Sequence, residues 1–394
     1  MNIKVALKKI ISKCIRVVYK LSCKYISIDE KTIMFTSYHG KGYLCNPKAI
    51  HLELLKDCRY KEYKYIWAVK GKKLPEINGA KVVRYNGIKY FYYLAKSKYW
   101  IFNCKMPKYI IKKEGQVYIQ TWHGTPLKRL AHDIQLSEEA TFYRSKVTRD
   151  EMVKSYDIDV AKYDYLLSPN RFSTEKFESC FRVNKERIIE TGYPRNDFLA
   201  NLTSIQIDEI KDKLRIDKNK KVLLYAPTWR DNQFNSKGYS INVKADFDKW
   251  KDTLGEEWII LVKPHYLIVN AMEIKEEKGR LMLLDDKYDI NELYAISDLM
   301  ITDYSSVFFD YSILNRPILF YMYDLNEYKE ELRGFYLDIY KDLPGPIIED
   351  EDELLDNIKN GLYNKFNDRR KEFMDRFNYL DDGNASKRVI ELIK

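Results

Sequence analysis

Leu299-Met-Ile-Thr-Asp-Tyr-Ser-Ser-Val-Phe-Phe-Asp310 runs from a short apolar strand (299–302) through a tight polar turn into a helix that opens at Ser305-Ser306. A strand that delivers a helix N-terminus with hydroxyls beside it presents unsatisfied backbone N–H groups to an anion. Upstream, Gln120-Thr-Trp-His-Gly-Thr-Pro-Leu-Lys128 places the imidazole of His123 after a strand (117–120) and before the small residues Gly124 and Thr125. A base together with a phosphate cradle points to phosphoryl-group chemistry.

Outward from residue 299 the same alternation of short apolar strands with helical segments continues in both directions. In the second half, strands are read at 221–226, 258–263, 281–284, 299–302 and 317–321. In the first half they are read at 32–37, 65–69, 81–84, 99–103, 117–120, 165–168 and 187–191. Strand, helix, strand is the parallel-sheet pattern. A chain of 394 residues exceeds what one ordinary core covers, so two α/β domains follow. The break falls after Gly192-Tyr-Pro-Arg-Asn-Asp197, giving domains of 29–200 and 201–394 behind an N-terminal segment, 1–28. Loops at the carboxyl ends of such strands gather into one pocket. Here they carry Pro227-Thr228-Trp229-Arg230, Pro264-His265 and Asp303 to Ser306. The first strand leads into Tyr38-His39-Gly40-Lys41-Gly42, which is not a dinucleotide fingerprint, and Asn46-Pro47 reads as an N-cap and first helical residue for 48–55.

The net charge of +10 is unevenly placed. Residues 1–28 hold Lys4, Lys8, Lys9, Lys13, Arg16, Lys20 and Lys24 and no acid. At helical spacing, Ile3, Leu7, Ile10, Ile11, Cys14, Val17, Val18 and Leu21 share an arc of about 120°. Lysines every few positions break up the apolar centre a secretory signal needs. The segment reads as a basic amphipathic helix lying on anionic lipid; the alternative is a helix whose apolar face packs on its own domain. A second basic block between Glu76 and Glu114 is interleaved with Tyr90, Phe91, Tyr92, Tyr93, Tyr99 and Trp100, which suits a headgroup interface. No nucleic-acid-binding signature accompanies it, so nucleic acid is not expected as a partner. No apolar run approaches the roughly 18 residues that span a bilayer. Six scattered cysteines without a CxxC pair read as reduced thiols of a cytoplasmic protein. The five histidines form no zinc pattern, and neither a metal nor another cofactor is expected. Asp285-Asp286 and Asp381-Asp382 read as solvated turn acids.

The motifs WHGTP (122–126), GYPRND (192–197), APTWR (226–230), KPHY (263–266), TDYSS (302–306) with Asp310, RGFYLD (333–338) and DLPGP (342–346) resemble those of the CDP-glycerol glycerophosphotransferases of teichoic-acid and capsule synthesis. The likeness holds in order and spacing from about Lys31 to the DGNAS near residue 383. It implies a GT-B-type fold, two Rossmann-like domains facing across a cleft, with the nucleotide on the second and a final helix crossing back to the first. It also implies a peripheral enzyme at the cytoplasmic face of the membrane, taking CDP-glycerol as donor and an undecaprenyl-diphosphate-linked acceptor, and releasing CMP.

Carried over by motif, His123 is the base that takes the acceptor's proton, with Gly124, Thr125, Pro126 and Leu127 lining the donor. His265, with Lys263 and Pro264, faces the diphosphate, and Arg195 adds a positive contact. Ser305 and Ser306 hold the diphosphate, Asp310 accepts from the ribose hydroxyls, and Pro227 and Thr228 contact the nucleotide. Each has a structural rival: a packed histidine, a serine N-cap, a solvated aspartate, an arginine in a local ion pair. His39 is a weaker acceptor-side candidate. A ribitol-phosphate transferase of the same family and a GT-B glycosyltransferase using a nucleotide sugar remain alternatives, and neither primase versus polymerase nor the oligomeric state follows from the residues.

Overall fold

The computed structural model describes residues 3–135, 147–228, 234–235, 238–239, 244–264, 274, 276–285, 287–325 and 334–394. The chain forms two compact units. Unit 1 comprises Met1–His123, Asp150–Asp197 and Asn384–Lys394; unit 2 comprises Gly124–Arg149 and Phe198–Gly383.

Unit 1 is built on β1 (Asp29–Thr36), β2 (Lys64–Val69), β3 (Ala80–Arg84), β4 (Ser97–Phe102), β5 (Val117–Gln120), β6 (Tyr165–Ser168) and β7 (Ile188–Glu190). They make one parallel sheet in the order β3-β2-β1-β4-β5-β6-β7. The central strands are apolar without alternation, as in Tyr65-Ile-Trp-Ala-Val69, because both faces are covered. Phe35 stacks on Trp67 at 5.2 Å. His51, from the helix Cys45–Lys56, is fully buried beside that pair and hydrogen-bonds through Nδ1 with the Tyr43 hydroxyl at 3.0 Å.

The last helix, Ala385–Ile390, belongs to the same unit and places Val389 and Ile390 in this core. Its N-terminus is satisfied by a residue almost two hundred positions earlier in the chain. The Asp197 carboxylate accepts Ala385 N–H at 2.8 Å and Ser386 N–H at 2.7 Å, joining the GYPRND and DGNAS motifs. A cap of this kind is worth about 1 kcal/mol.

Unit 2 contains β8 (Lys221–Ala226), a small antiparallel pair β9 (Phe234–Asn235) and β10 (Gly238–Tyr239), then β11 (Trp258–Val262), β12 (Leu281–Leu283), β13 (Leu299–Thr302), β14 (Ile318–Tyr321) and β15 (Ile347–Ile348). The six-stranded sheet is parallel, in the order β12-β11-β8-β13-β14-β15. The glycine of the DLPGP motif is dictated by this sheet. A Cβ on Gly345 would lie 1.9 Å from the Ile318 carbonyl oxygen, so only glycine lets this loop pass β14 on its way to β15.

The expected α/β architecture of two parallel-sheet, Rossmann-like units therefore forms, with strand ends shifted by a few residues. β15 was not foreseen, since two isoleucines carry no periodic pattern. The helix after β1 starts at Cys45, with Leu44 as its N-cap, so Asn46 is not the cap but part of the first turn. Its side chain is used across the fold instead.

The N-terminal helix is Ile3–Tyr25, with side chains described from Ser12 onward. Tyr19, outside the apolar stripe read from the sequence, is 2% exposed and lies against Phe91 at 5.8 Å. The stripe residues Val17, Val18 and Leu21 are 58%, 63% and 50% exposed, so unit 1 does not cover them. Among the described residues, no helix is long and apolar enough to cross a membrane.

Candidate active site

In unit 1 the strand order reverses between β1 and β4, the place where open parallel sheets form their binding crevice. The loop after β1 and the end of β4 are joined there, because Tyr38 N–H donates to Asn103 Oδ1 at 2.8 Å. The Asn103 carbonyl in turn receives His123 Nδ1 at 2.6 Å. A carbonyl oxygen only accepts, so Nδ1 carries the proton and Nε2 keeps its lone pair. Trp122 stacks on the imidazole at 4.7 Å and Tyr38 meets it edge-on at 5.6 Å. Arg195 Nη1 donates to the His123 carbonyl at 2.8 Å. Burial pushes the His123 pKa down to about 4; the charges of Arg195 and His39 push the same way, and the Asn103 contact opposes them. The ring is thus neutral at physiological pH and can take up a proton.

The backbone around this histidine departs from the usual regions. Tyr38, His39, Cys45 and Trp122 have φ of +45°, +56°, +61° and +50°. Each left-handed non-glycine residue costs about 1–2 kcal/mol, and such strain concentrates at functional sites. His39 is exposed on this loop, beside Gly40, whose carbonyl accepts Lys70 N–H at 2.6 Å. Its pKa is held below the ordinary value first by loss of solvent around the ring and then by the fields of Lys70, Lys105 and Lys41.

In unit 2 the order reverses between β8 and β13, and the two strand ends are again joined. The Asp303 carboxylate accepts Thr228 N–H at 2.9 and 3.1 Å and Tyr304 N–H at 2.6 Å. Pro227 is buried and Thr228 half-buried. Beyond Asp303 come half-buried Ser305 and Ser306, then the short helix Val307–Tyr311 with Asp310 buried on it. Ser306 occupies the N-cap position without a side-chain capping bond, so its hydroxyl is not spent on the helix.

Gly124, next to His123, approaches that hydroxyl closely: a Cβ on Gly124 would lie 3.2 Å from Ser306 Oγ. Thr125, Pro126 and Leu127 are buried. The segment is strapped by residues of the RGFYLD motif, through Tyr336 N–H to the Leu127 carbonyl at 2.9 Å and Arg129 N–H to the Gly334 carbonyl at 3.0 Å. Lys263 extends the sheet by donating its N–H to the Tyr225 carbonyl, and its Nζ donates to the Asp285 carbonyl at 2.5 Å. Pro264 is buried. His265, Trp229, Arg230 and Asp286 lie outside the described residues. Asp285 binds Lys287 within its own turn, and Asp381 accepts from Asn378. Among the described residues, no three His, Cys, Asp or Glu side chains converge as a metal site.

Residues 17–394 match the family model CDP-Glycerol:Poly(glycerophosphate) glycerophosphotransferase. The chain belongs to this family. It is a glycerophosphotransferase by that membership, and the donor in the family's name is CDP-glycerol. It is 42% identical over 369 residues to the teichoic acid poly(glycerol phosphate) polymerase of Bacillus spizizenii, covering 92% of each. To the polymerase of the same name from Staphylococcus epidermidis it is 41% identical over 96% of its own length, yet it spans only 52% of that protein. The teichoic acid glycerol-phosphate transferase of Staphylococcus aureus is 37% identical over 99% of both chains. Among solved structures, the wall teichoic acid polymerase TagF superposes with a TM-score of 0.89 at 39% identity, covering 98% of this chain and 94% of that one. One TagF structure comes from a 15-minute soak with CDPG. The glycosyltransferase WaaG, at 12% identity and a TM-score of 0.50, shares the fold alone, which is the GT-B type expected.

Four polar residues were given no side-chain role at the site by the sequence reading: Asn46, Asn103, Gln120 and Asp303, although Asp303 stood in one of the loops expected to form the pocket. All four are buried polar side chains at strand ends or first helical turns. The signal was present in the Asn46-Pro47 pair and in Asp303 of TDYSS, but local pattern assigned both to turn and cap duty.

Proposed function

We propose that the chain transfers glycerol phosphate from CDP-glycerol to a hydroxyl of an undecaprenyl-diphosphate-linked glycan or polyol-phosphate acceptor in teichoic-acid synthesis. The acceptor oxygen attacks the glycerol-bearing phosphorus, the bond from that phosphorus to the bridging oxygen breaks, and CMP leaves. The acceptor's proton goes to His123 Nε2. The observation that carries this reading is the hydrogen bond from His123 Nδ1 to the Asn103 carbonyl, which leaves Nε2 as the basic atom. A base with a pKa near 4 is weak. An anionic donor beside it raises that value, so the base strengthens when substrate is bound.

In unit 2, Ser305 and Ser306 hold the diphosphate with the backbone N–H groups that follow them. Gly124, Thr125, Pro126 and Leu127 line the donor. Pro227 and Thr228 contact the nucleotide, and Asp310 accepts from the ribose. Lys263, Pro264 and His265 complete the diphosphate side, and Arg195 adds positive charge next to His123. Positioning and charge neutralisation of this kind are the main demands of phosphoryl transfer. His39, with Lys41, Lys70 and Lys105 near it, serves the phosphate-bearing acceptor. Unit 1 is then the acceptor side and unit 2 the donor-binding side; against the sequence bounds of 29–200 and 201–394, residues 124–149 belong with the second unit and the last helix, within Asn384–Lys394, with the first.

Residues 1–28 hold the enzyme on the cytoplasmic face of the membrane. The uncovered Val17, Val18 and Leu21, set among exposed Lys13, Arg16, Lys20 and Lys24, support this part of the reading over packing on unit 1.

The test is to incubate the purified chain with CDP-glycerol and a synthetic lipid-linked disaccharide acceptor and to weigh the products. Addition of glycerol-phosphate units with release of CMP is the expected result. Growth with CDP-ribitol or a UDP-sugar, and none with CDP-glycerol, would replace this reading. For the membrane segment, sedimentation with anionic vesicles should fall when Lys4, Lys8, Lys9 and Lys13 become Glu. Equal sedimentation of parent and variant at physiological salt would return the helix to a packing role.

A further inference from the structure

The turn that carries His123 is held by side chains to which the proposed chemistry gives no part. Asn46 is fully buried. Its Nδ2 donates to the carbonyls of Thr121 and Trp122, each at 3.1 Å, and its Oδ1 accepts Arg195 N–H at 3.1 Å. Arg195 closes the circuit through Nη1 to the His123 carbonyl at 2.8 Å. One amide therefore sets the WHG turn and the GYPR turn in register, although they lie 75 and 149 residues away along the chain.

On the other side of the same turn, Gln120 Oε1 accepts Trp122 N–H at 3.0 Å. The Gln120 amide is itself fixed, since its Nε2 donates to the hydroxyls of Tyr118 at 2.9 Å and Tyr163 at 3.4 Å. The Tyr163 hydroxyl donates onward to buried Asp159 at 2.6 Å. Between these clamps Trp122 sits at φ +50°. A tryptophan relaxes out of that region unless its surroundings over-determine it. Here both its N–H and its carbonyl are held. Relaxation would turn the following peptide and carry His123 Nδ1 away from the Asn103 carbonyl.

We infer that Asn46 and Gln120 are positioning residues for glycerophosphoryl transfer: together they hold Trp122 in its left-handed conformation, so that His123 presents Nε2 as a single neutral tautomer. The inference rests on the reading of His123 as the base. The alternative is that both amides only satisfy buried backbone groups. In that case their loss lowers stability without changing the state of the imidazole.

The test uses Asn46→Ala and Gln120→Met in the full chain, the second nearly preserving side-chain volume. CMP release is measured with CDP-glycerol and the lipid-linked acceptor, donor affinity by calorimetry, and the His123 tautomer by imidazole ¹⁵N shifts. The expected result is a fall in kcat of about 10–100-fold, as for a misplaced reacting group, with donor KM and affinity within about twofold of the parent. The ¹⁵N signals should move from the pure Nδ1–H form toward a mixture. Parent-like kcat, or an unchanged tautomer, in a folded variant overturns the inference. If Asn46→Ala does not fold, Gln120→Met decides by the same readouts. His123→Ala in the same assay keeps the two ideas apart. If it turns over like the parent, the base reading falls and takes this inference with it. If it is inactive while both amide variants match the parent, only the positioning role falls.

Discussion

The two sheets solve the same topological problem with different chemistry. In each, the strand order reverses beside the unit's first strand, and a side chain from the far strand end accepts an N–H from the near one. In unit 1 that acceptor is the neutral amide of Asn103, taking Tyr38 N–H; in unit 2 it is the carboxylate of Asp303, taking Thr228 N–H and Tyr304 N–H. The neutral clamp adds no anion beside His123; burial first, then the charges of Arg195 and His39, keep the imidazole deprotonated although the Asn103 carbonyl favours the proton. With a charged clamp, the bonds are stronger and the loop end is drawn tight against the next strand, where Ser305 and Ser306 follow. The backbone differs as well. Unit 1 uses left-handed non-glycine residues, whereas none of the described residues 226–228 or 302–310 has positive φ, and close approach in unit 2 is left to Gly124. On the function proposed above, one topology serves a proton acceptor in one unit and an anion cradle in the other. The geometry needed for a base is bought with strain, that for a cradle with charge and a missing Cβ.

The sharpest way to break this comparison is at the base. His123→Ala should lower kcat by about 10²–10⁴, the usual worth of general-base help, while calorimetry shows CDP-glycerol still bound. In the parent, kcat/KM should fall as pH drops through about 4, where the free imidazole becomes charged. An unchanged turnover in steady-state CMP release would remove the base from unit 1.

The second test asks whether unit 1 carries the acid sensitivity that its buried histidines imply. Burial lowers the His51 pKa from 6.5 to about 4. Between these values the unfolded chain binds the proton and the native one does not, so stability is full above about pH 6.5 and declines as pH falls toward 4. For this fully buried ring the difference amounts to about 3 kcal/mol. Asp159 and Asp197, raised by burial, act in the opposite sense. The measurement is therefore the difference between the parent and His51→Phe in denaturant unfolding at pH 7 and pH 4.5. The variant should lose less stability on acidification, and parallel losses would show that His51 is not the sensor.

Unit 2 is sharpened by Asp303→Ala. Leaving two loop N–H groups without their acceptor should cost about 1–3 kcal/mol, read as a loss of CDP-glycerol affinity of about 5–150-fold, while kcat at saturating donor changes much less. An equal loss in kcat alone would mean that the carboxylate clamp serves the reaction step and not the donor. The smallest expected effect is Gly124→Ala. Its Cβ would press on Ser306 Oγ at 3.2 Å. A hydroxyl can give by a few tenths of an ångström, so donor affinity should fall only about threefold, a cost below 1 kcal/mol. A loss as large as that of Asp303→Ala would show that the Ser306 hydroxyl cannot move.

What the sequence determined by itself was local and periodic. Twelve strands were legible because buried parallel strands are short runs of β-branched and aromatic residues between turn signals. The WHG, GYPR and TDYSS segments were legible as a set, in motif order and spacing; taken singly, a histidine packs, an arginine pairs and a serine before a helix caps it. β15 was not legible, since Ile347-Ile348 becomes a strand only by pairing with β14 after Gly345 has passed it. Nor was the work of Asn46. An Asn-Pro pair before a helical run satisfies a local capping rule, and only the folded sheet brings the carbonyls of Thr121 and Trp122 and the Arg195 N–H to that amide. The state of His123 was decided in the same way. Its residue type suggests a base, but which nitrogen carries the proton, and at what pH, depends on the Asn103 carbonyl, on burial and on the charges of Arg195 and His39. Spacing along the chain encodes which face a residue takes within its own element; which partner waits on that face is encoded only by the contacts that close the tertiary structure.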